Sequence, residues 1–139
     1  MSDAIQPFEI AVPDATLADL RERLARTRFP DQIEGANWDY GTELSYLREL
    51  VAYWKDAFDW RAQERLLNAF PHFETGIDDH RVHFIHARSP HENAFPLVVT
   101  HGWPGSVFEF HKILGPLPDP TRHGGDARDA FHVVCPSIP

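Results

Sequence analysis

Leu97-Val98-Val99-Thr100-His101-Gly102-Trp103-Pro104-Gly105-Ser106 is the stretch on which the fold turns. The apolar run that begins at Phe95 has no polar alternation, the pattern of a strand buried on both faces. Gly102 to Gly105 then makes a sharp turn. Ser106 and Glu109 have the spacing of a capping box, opening a helix with Val107, Phe110 and Leu114 inside. Gly115 to Asp129, rich in Pro, Gly and Asp, reads as loop, and Ala130 to Cys135 as a second buried strand. Strand, turn, helix, loop and strand form a βαβ unit, and open α/β sheets bind ligands at the carboxyl ends of their strands. The turn at His101-Gly102-Trp103-Pro104 lies at such an end. Amide donors held there stabilise charge developing on an oxygen, each typically worth ~3 kcal/mol of barrier. Gly102 would permit close backbone approach or unusual dihedrals, and Trp103-Pro104 is a candidate cis peptide.

Toward the N-terminus the period changes. His72 to Ile77 and Arg81 to Ala87 read as strands joined at Asp78-Asp79-His80, a hairpin signal that lacks the usual glycine. Pro90 to Ala94 is a turn. Before Pro71 the spacing is helical: a short helix over Trp60 to Asn68, and another from Thr42 to Lys55 with Leu44, Leu47, Leu50, Val51 and Trp54 on one face. A third carries Leu17, Leu20 and Leu24 and ends before Pro30. Its start is marked by Thr16 and Asp19 at capping-box spacing, with Asp14 as a rival cap. Phe8 to Val12 alternates as a short strand. The aromatics from Trp38 to Trp60 are expected to fill a core. The fold class is thus α/β: an N-terminal helical meander over residues 1–70, then the first strands and first helix of an incomplete α/β sheet over 71–139. Two apolar strands and one helix do not cover such a sheet on both faces, so the sheet reads as cut off.

At 139 residues, 42% hydrophobic and 24% charged, the composition is that of a globular protein in the size range of one domain. A net charge of −8 argues against nucleic-acid and anionic-membrane partners, both of which need clustered Lys and Arg. The single cysteine, Cys135, allows no internal disulfide and reads as a small buried hydrophobe. Met1 to Phe8 has neither the basic start nor the apolar run of a signal peptide, and no stretch approaches the ~20 apolar residues of a bilayer span, so the cytoplasm is the expected location. Nine histidines invite a metal reading, but His83 and His86 on one strand point to opposite faces, and His91 and His123 lie in loops without zinc-site spacing. No metal or cofactor is expected.

The chain resembles the N-terminal region of epoxide hydrolases of the microsomal-like group, in which an N-terminal domain precedes an α/β-hydrolase body. The matching residues are Trp38-Asp39-Tyr40-Gly41, Tyr53-Trp54, Phe58-Asp59-Trp60-Arg61, Leu67-Asn68, Phe70-Pro71, His83-Phe84-Ile85-His86, the His101-to-Ser106 turn with Glu109-Phe110, and Phe131 to Ser137. The resemblance implies that an aspartate opens a small-molecule epoxide to give a covalent alkyl-enzyme ester, which a His-carboxylate pair then hydrolyses with water. It assigns one oxyanion-hole donor to the backbone amide of Trp103 and a pocket-lining role to the Trp103 indole and Pro104. His101 and Gly102 shape the turn. The family's nucleophile sits in a Gly-x-Asp-x-Gly elbow, which this chain does not contain. Gly124-Gly125-Asp126 is a decoy in a loop with no buried strand leading into it. The expected partners are therefore the C-terminal half of the enzyme or a second copy of the chain. Two alternatives stay open: another α/β-hydrolase such as a haloalkane dehalogenase or esterase, and a non-catalytic module.

Overall fold

The computed structural model describes residues 4–139; Met1 to Asp3, part of the stretch read above for a leader sequence, lie outside them. Two compact units are present, Met1–Ile10 with Gln63–Pro139 and Ala11–Ala62. Among the described residues no helix is long and apolar enough to cross a membrane.

The first unit is built on five strands: β1 (Gln6–Phe8), β2 (His72–Ile77), β3 (His80–Ala87), β4 (Phe95–Val98) and β5 (Phe131–Pro136), ordered β1-β2-β3-β5-β4. Neighbours are antiparallel except β4 and β5, which run parallel with Leu97 opposite Val133. The β2–β3 hairpin closes through Asp78 and Asp79, at φ 47° and 65°. Aspartate tolerates this left-handed region because its short polar side chain bonds locally, so it takes the place of the expected glycine. The parallel pair bears out the two strands of the βαβ reading, but not its helix. After the Ser106 capping box comes a 3-10 turn, Val107–Phe110, and then successive turns. Further on, Pro116 and Pro118 lack the amide hydrogens that would carry a helix onward.

The expected packing of the crossover holds. Val107 and Leu114 are buried with Ile85, Ala87, Val133 and Cys135, and Leu97, Val99 and Phe110 pack against this cluster. Side chains such as Ile85 and Val133, both at 0% exposure, each contribute about 1.5–3 kcal/mol by leaving water. Among the described residues, this cover lies on one face of the sheet. β4 is an edge strand whose Phe95 and Val98 are 66% and 63% exposed, against the expectation of burial on both faces. The N-terminal strand is also displaced: β1 ends at Phe8 rather than running to Val12. Beyond it the Asn68 side chain takes over the backbone of Ile10, accepting its N–H at 3.0 Å and donating to its carbonyl at 2.8 Å.

The second unit holds α1 (Asp14–Ala25) and α2 (Leu44–Asp56), which pack on each other; α3 (Trp60–Asn68) runs across the boundary with its expected limits. The anticipated Thr16–Asp19 cap does not form. Asp19 instead accepts from Arg23 one turn later at 2.6 Å, and the carbonyl of Pro13 receives the first helical amides. Glu43 caps α2 by accepting the N–H of Tyr46 at 2.8 Å. The expectation that the aromatics fill a core is overturned for five of them. Trp38, Tyr40, Tyr46, Tyr53 and Trp54 are all exposed, and no residue of α2 is buried. Apolar residues sit on more than one side of α2, and α1 covers a single side.

Candidate functional site

β4 delivers the backbone to the turn at the carboxyl end of the parallel pair. Val99 still bonds to the sheet, donating its N–H to the Val134 carbonyl at 3.0 Å. The chain then folds back, with the Gly105 N–H donating to the Gly102 carbonyl at 2.6 Å and Trp103-Pro104 cis between them. A β-turn with cis-proline at its third position uses one amide, that of the fourth residue, and the proline has none. Trp103 therefore carries the remaining amide of the turn's centre, and among the described residues it donates to no protein backbone acceptor.

Side-chain hydrogen bonds hold the turn on both sides. The Gly102 carbonyl also accepts from Nδ1–H of His101 at 3.1 Å. Ser106 closes the other side: its Oγ accepts the Phe108 N–H at 3.3 Å, and its own N–H donates to Glu109 at 3.1 Å. The tightly enclosed glycine is Gly105. A Cβ there would collide with the Glu109 carboxylate and lie 2.7 Å from the Gly102 carbonyl, whereas one on Gly102 would meet nothing within 4 Å. Gly102 also lies outside the positive-φ set, so the turn makes no use of the left-handed dihedrals that a glycine there permits. The Trp103 indole is 94% exposed and lines no wall formed by the described residues.

The other chemistry-bearing residues have structural partners. Asp126 caps the 3-10 turn at Ala127–Asp129 by accepting the Arg128 N–H at 2.9 Å, and the Arg128 guanidinium beside it holds its carboxyl below the usual range. Cys135 is fully buried, and burial pushes its thiol up to about 11, which keeps it protonated and inert near neutral pH. His83 and His86 do face opposite sides of β3. His86 meets Phe73 edge-on, while His83 meets Phe8 on the face that also carries His72. Among the described residues no three His, Cys, Asp or Glu side chains converge on a metal position.

One arrangement was not foreseen. Ser137 Oγ lies 2.8 Å from His83 Nδ1, His83 Nε2 lies 2.8 Å from His72 Nδ1, and His72 Nε2 lies 2.8 Å from the Leu67 carbonyl. The hairpin register creates it. His72 opposes Ile85 and Glu74 opposes His83, which places all four side chains on one face, and the Ser137 N–H donates to the His83 carbonyl. The signal was available: a two-residue turn at Asp78-Asp79 fixes that register.

The model of the epoxide hydrolase N terminus matches residues 5–110. A Stigmatella aurantiaca relative assigned to the epoxide hydrolases is 53% identical over 97% of this chain and 31% of its own length. Epoxide hydrolase 1 of Sus scrofa is 40% identical over 99% of this chain and 31% of its own. The solved Aspergillus niger epoxide hydrolase superposes with a TM-score of 0.83 at 34% identity, covering 99% of this chain and 36% of that one. This chain thus spans about a third of the length of each. The mixed five-stranded sheet corresponds to a partial region of the α/β-hydrolase fold of that enzyme. With a family match over most of its residues and a fold that agrees, the chain belongs to the epoxide hydrolase N-terminus family.

Proposed function

We propose that this chain is the N-terminal portion of an epoxide hydrolase that opens small-molecule epoxides to diols through a covalent alkyl-enzyme ester. The observation that carries the reading is the unpaired Trp103 amide, held in a locked turn at the carboxyl edge of the sheet, in a chain similar along its whole length to epoxide hydrolases. The chemistry divides by step. An aspartate carried outside this chain attacks an epoxide carbon, the C–O bond breaks, and the alkoxide is protonated to give a hydroxy ester. Water activated by a His-carboxylate pair, also outside this chain, then attacks the ester carbonyl. The negative charge that collects on the carbonyl oxygen is where an amide donor acts, and Trp103 N–H supplies one such bond. The Trp103 indole and Pro104 line the substrate pocket once the rest of the enzyme, or a second copy, closes over them. The reading places the enzyme in the cytoplasm.

A single-turnover reaction of the complete enzyme with styrene oxide in ¹⁸O-water tests the ester step. The account expects the first diol to carry no label and the oxygen-18 to enter an aspartate carboxyl. Label in the first diol, with none in the protein, would establish direct attack of water and remove the ester from the account.

A further inference from the structure

We propose that Ser137 is an activated nucleophile, with His83 as its general base and His72 as a positioning residue, open to acyl or phosphonyl transfer from small activated esters. This site is separate from the turn at Trp103.

The argument begins at Leu67, because a carbonyl oxygen only accepts. His72 Nε2 must therefore carry the hydrogen of that 2.8 Å bond, which leaves Nδ1 of neutral His72 as a lone pair. His83 Nε2 fills it by donating, so Nδ1 of neutral His83 is also a lone pair. What faces that lone pair at 2.8 Å is the Ser137 hydroxyl, which donates. The anchored carbonyl thus sets the tautomer of both rings and aims the basic nitrogen at the serine. A nucleophile bonded to a base, itself held by a third group, is the arrangement that activates hydroxyls.

Proton transfer from Ser137 Oγ to His83 Nδ1 reverses no other bond in the row. The imidazolium that forms still donates from Nε2 to His72, and the carboxylate of Glu74, opposite His83 in the sheet, attracts its charge. Arg81, which bonds that carboxylate, tempers the attraction without reaching the ring. Burial and the neighbouring His72 hold His83 below the ordinary histidine value, so the base is free at neutral pH. Ser137 itself is only half-buried. In the transfer, Ser137 Oγ bonds to the carbonyl carbon of an aryl ester as its proton moves to His83 Nδ1. The carbon–aryloxide bond then breaks and the aryloxide takes that proton, leaving acyl-Ser137 and neutral His83. With a fluorophosphonate the phosphorus–fluorine bond breaks instead, and the proton leaves with fluoride.

The test treats the 139-residue chain with an alkyl fluorophosphonate and maps the adduct by peptide mass spectrometry from about pH 5 to about pH 8, the range over which histidines change charge. The expected result is modification at Ser137, with a rate that rises as His83 loses its proton and has its midpoint below the ordinary histidine pKa. His83→Gln should slow the modification roughly 100-fold. His72→Phe should slow it and move the pH midpoint, and His72→Gln, which can still accept from His83 and donate to Leu67, should restore both. A Ser137 that stays unmodified, or one modified at a pH-independent rate no faster than the chain's exposed serines, would overturn the proposal. The profile on the unaltered chain gives this answer even where a substitution disturbs the fold.

Discussion

In the sheet unit, alternation along β3 and β5 places Ile85, Val133 and Cys135 at 0% exposure, and the crossover that follows β4 lies over them. In the helical unit, α2 is equally rich in large apolar side chains, yet Leu50, Tyr53 and Trp54 are 44%, 55% and 46% exposed. Hydrophobic period identifies the face that favours leaving water; it does not supply the element that covers it. β5 finds its cover within the same βαβ unit, forty residues or fewer along the chain. α2 has α1 on one side and, among the described residues, nothing buries its aromatic positions. Local pattern and tertiary burial are therefore separate facts, and mutations should distinguish them.

The largest effect should come from Ile85→Ala in the sheet unit, which removes a fully buried side chain and leaves a cavity in an enclosed cluster. Denaturant titration should show a loss of about 2–5 kcal/mol. A loss below about 1 kcal/mol would mean that this core is no better covered than α2, and the comparison would fail. Gly105→Ala comes next. Its Cβ pushes on Glu109 and the Gly102 carbonyl, so the capping box or the turn must give way, at a cost of about 1–3 kcal/mol. The smallest effect should be that of Tyr53→Ser or Trp54→Ser on α2, within about 0.5 kcal/mol in this chain, as for ordinary surface sites. A loss above about 2 kcal/mol would show that these aromatics are buried in the protein in solution.

How much was legible follows from how local each feature is. α3 and the β2–β3 hairpin were read close to their observed limits because period, cap and turn lie within a few residues of each other. The Ser106–Glu109 cap was read for the same reason. β1 was misplaced because the residue that ends it, Asn68, lies 58 positions away from Ile10. Double burial of β4 was expected because an apolar run does not record that its strand is an edge. In the candidate site, the turn and its cis-proline were visible in the tetrapeptide, but the glycine that matters sterically is Gly105 rather than Gly102. The row of Ser137, His83 and His72 is not contained in the spacing of residues along one strand. Their true neighbours lie across the hairpin and at the end of β5.

The central claim of the proposed function is that Trp103 contributes mainly through its backbone N–H and less through its indole. Replacing Trp103 in the complete enzyme with the corresponding α-hydroxy acid exchanges that N–H for an ester oxygen and keeps the side chain. The account predicts that kcat for epoxide hydrolysis falls by about 100-fold or more, the usual consequence of deleting one oxyanion donor, while Trp103→Phe costs much less. An unchanged kcat in the ester variant, or a larger loss from Trp103→Phe, would contradict it.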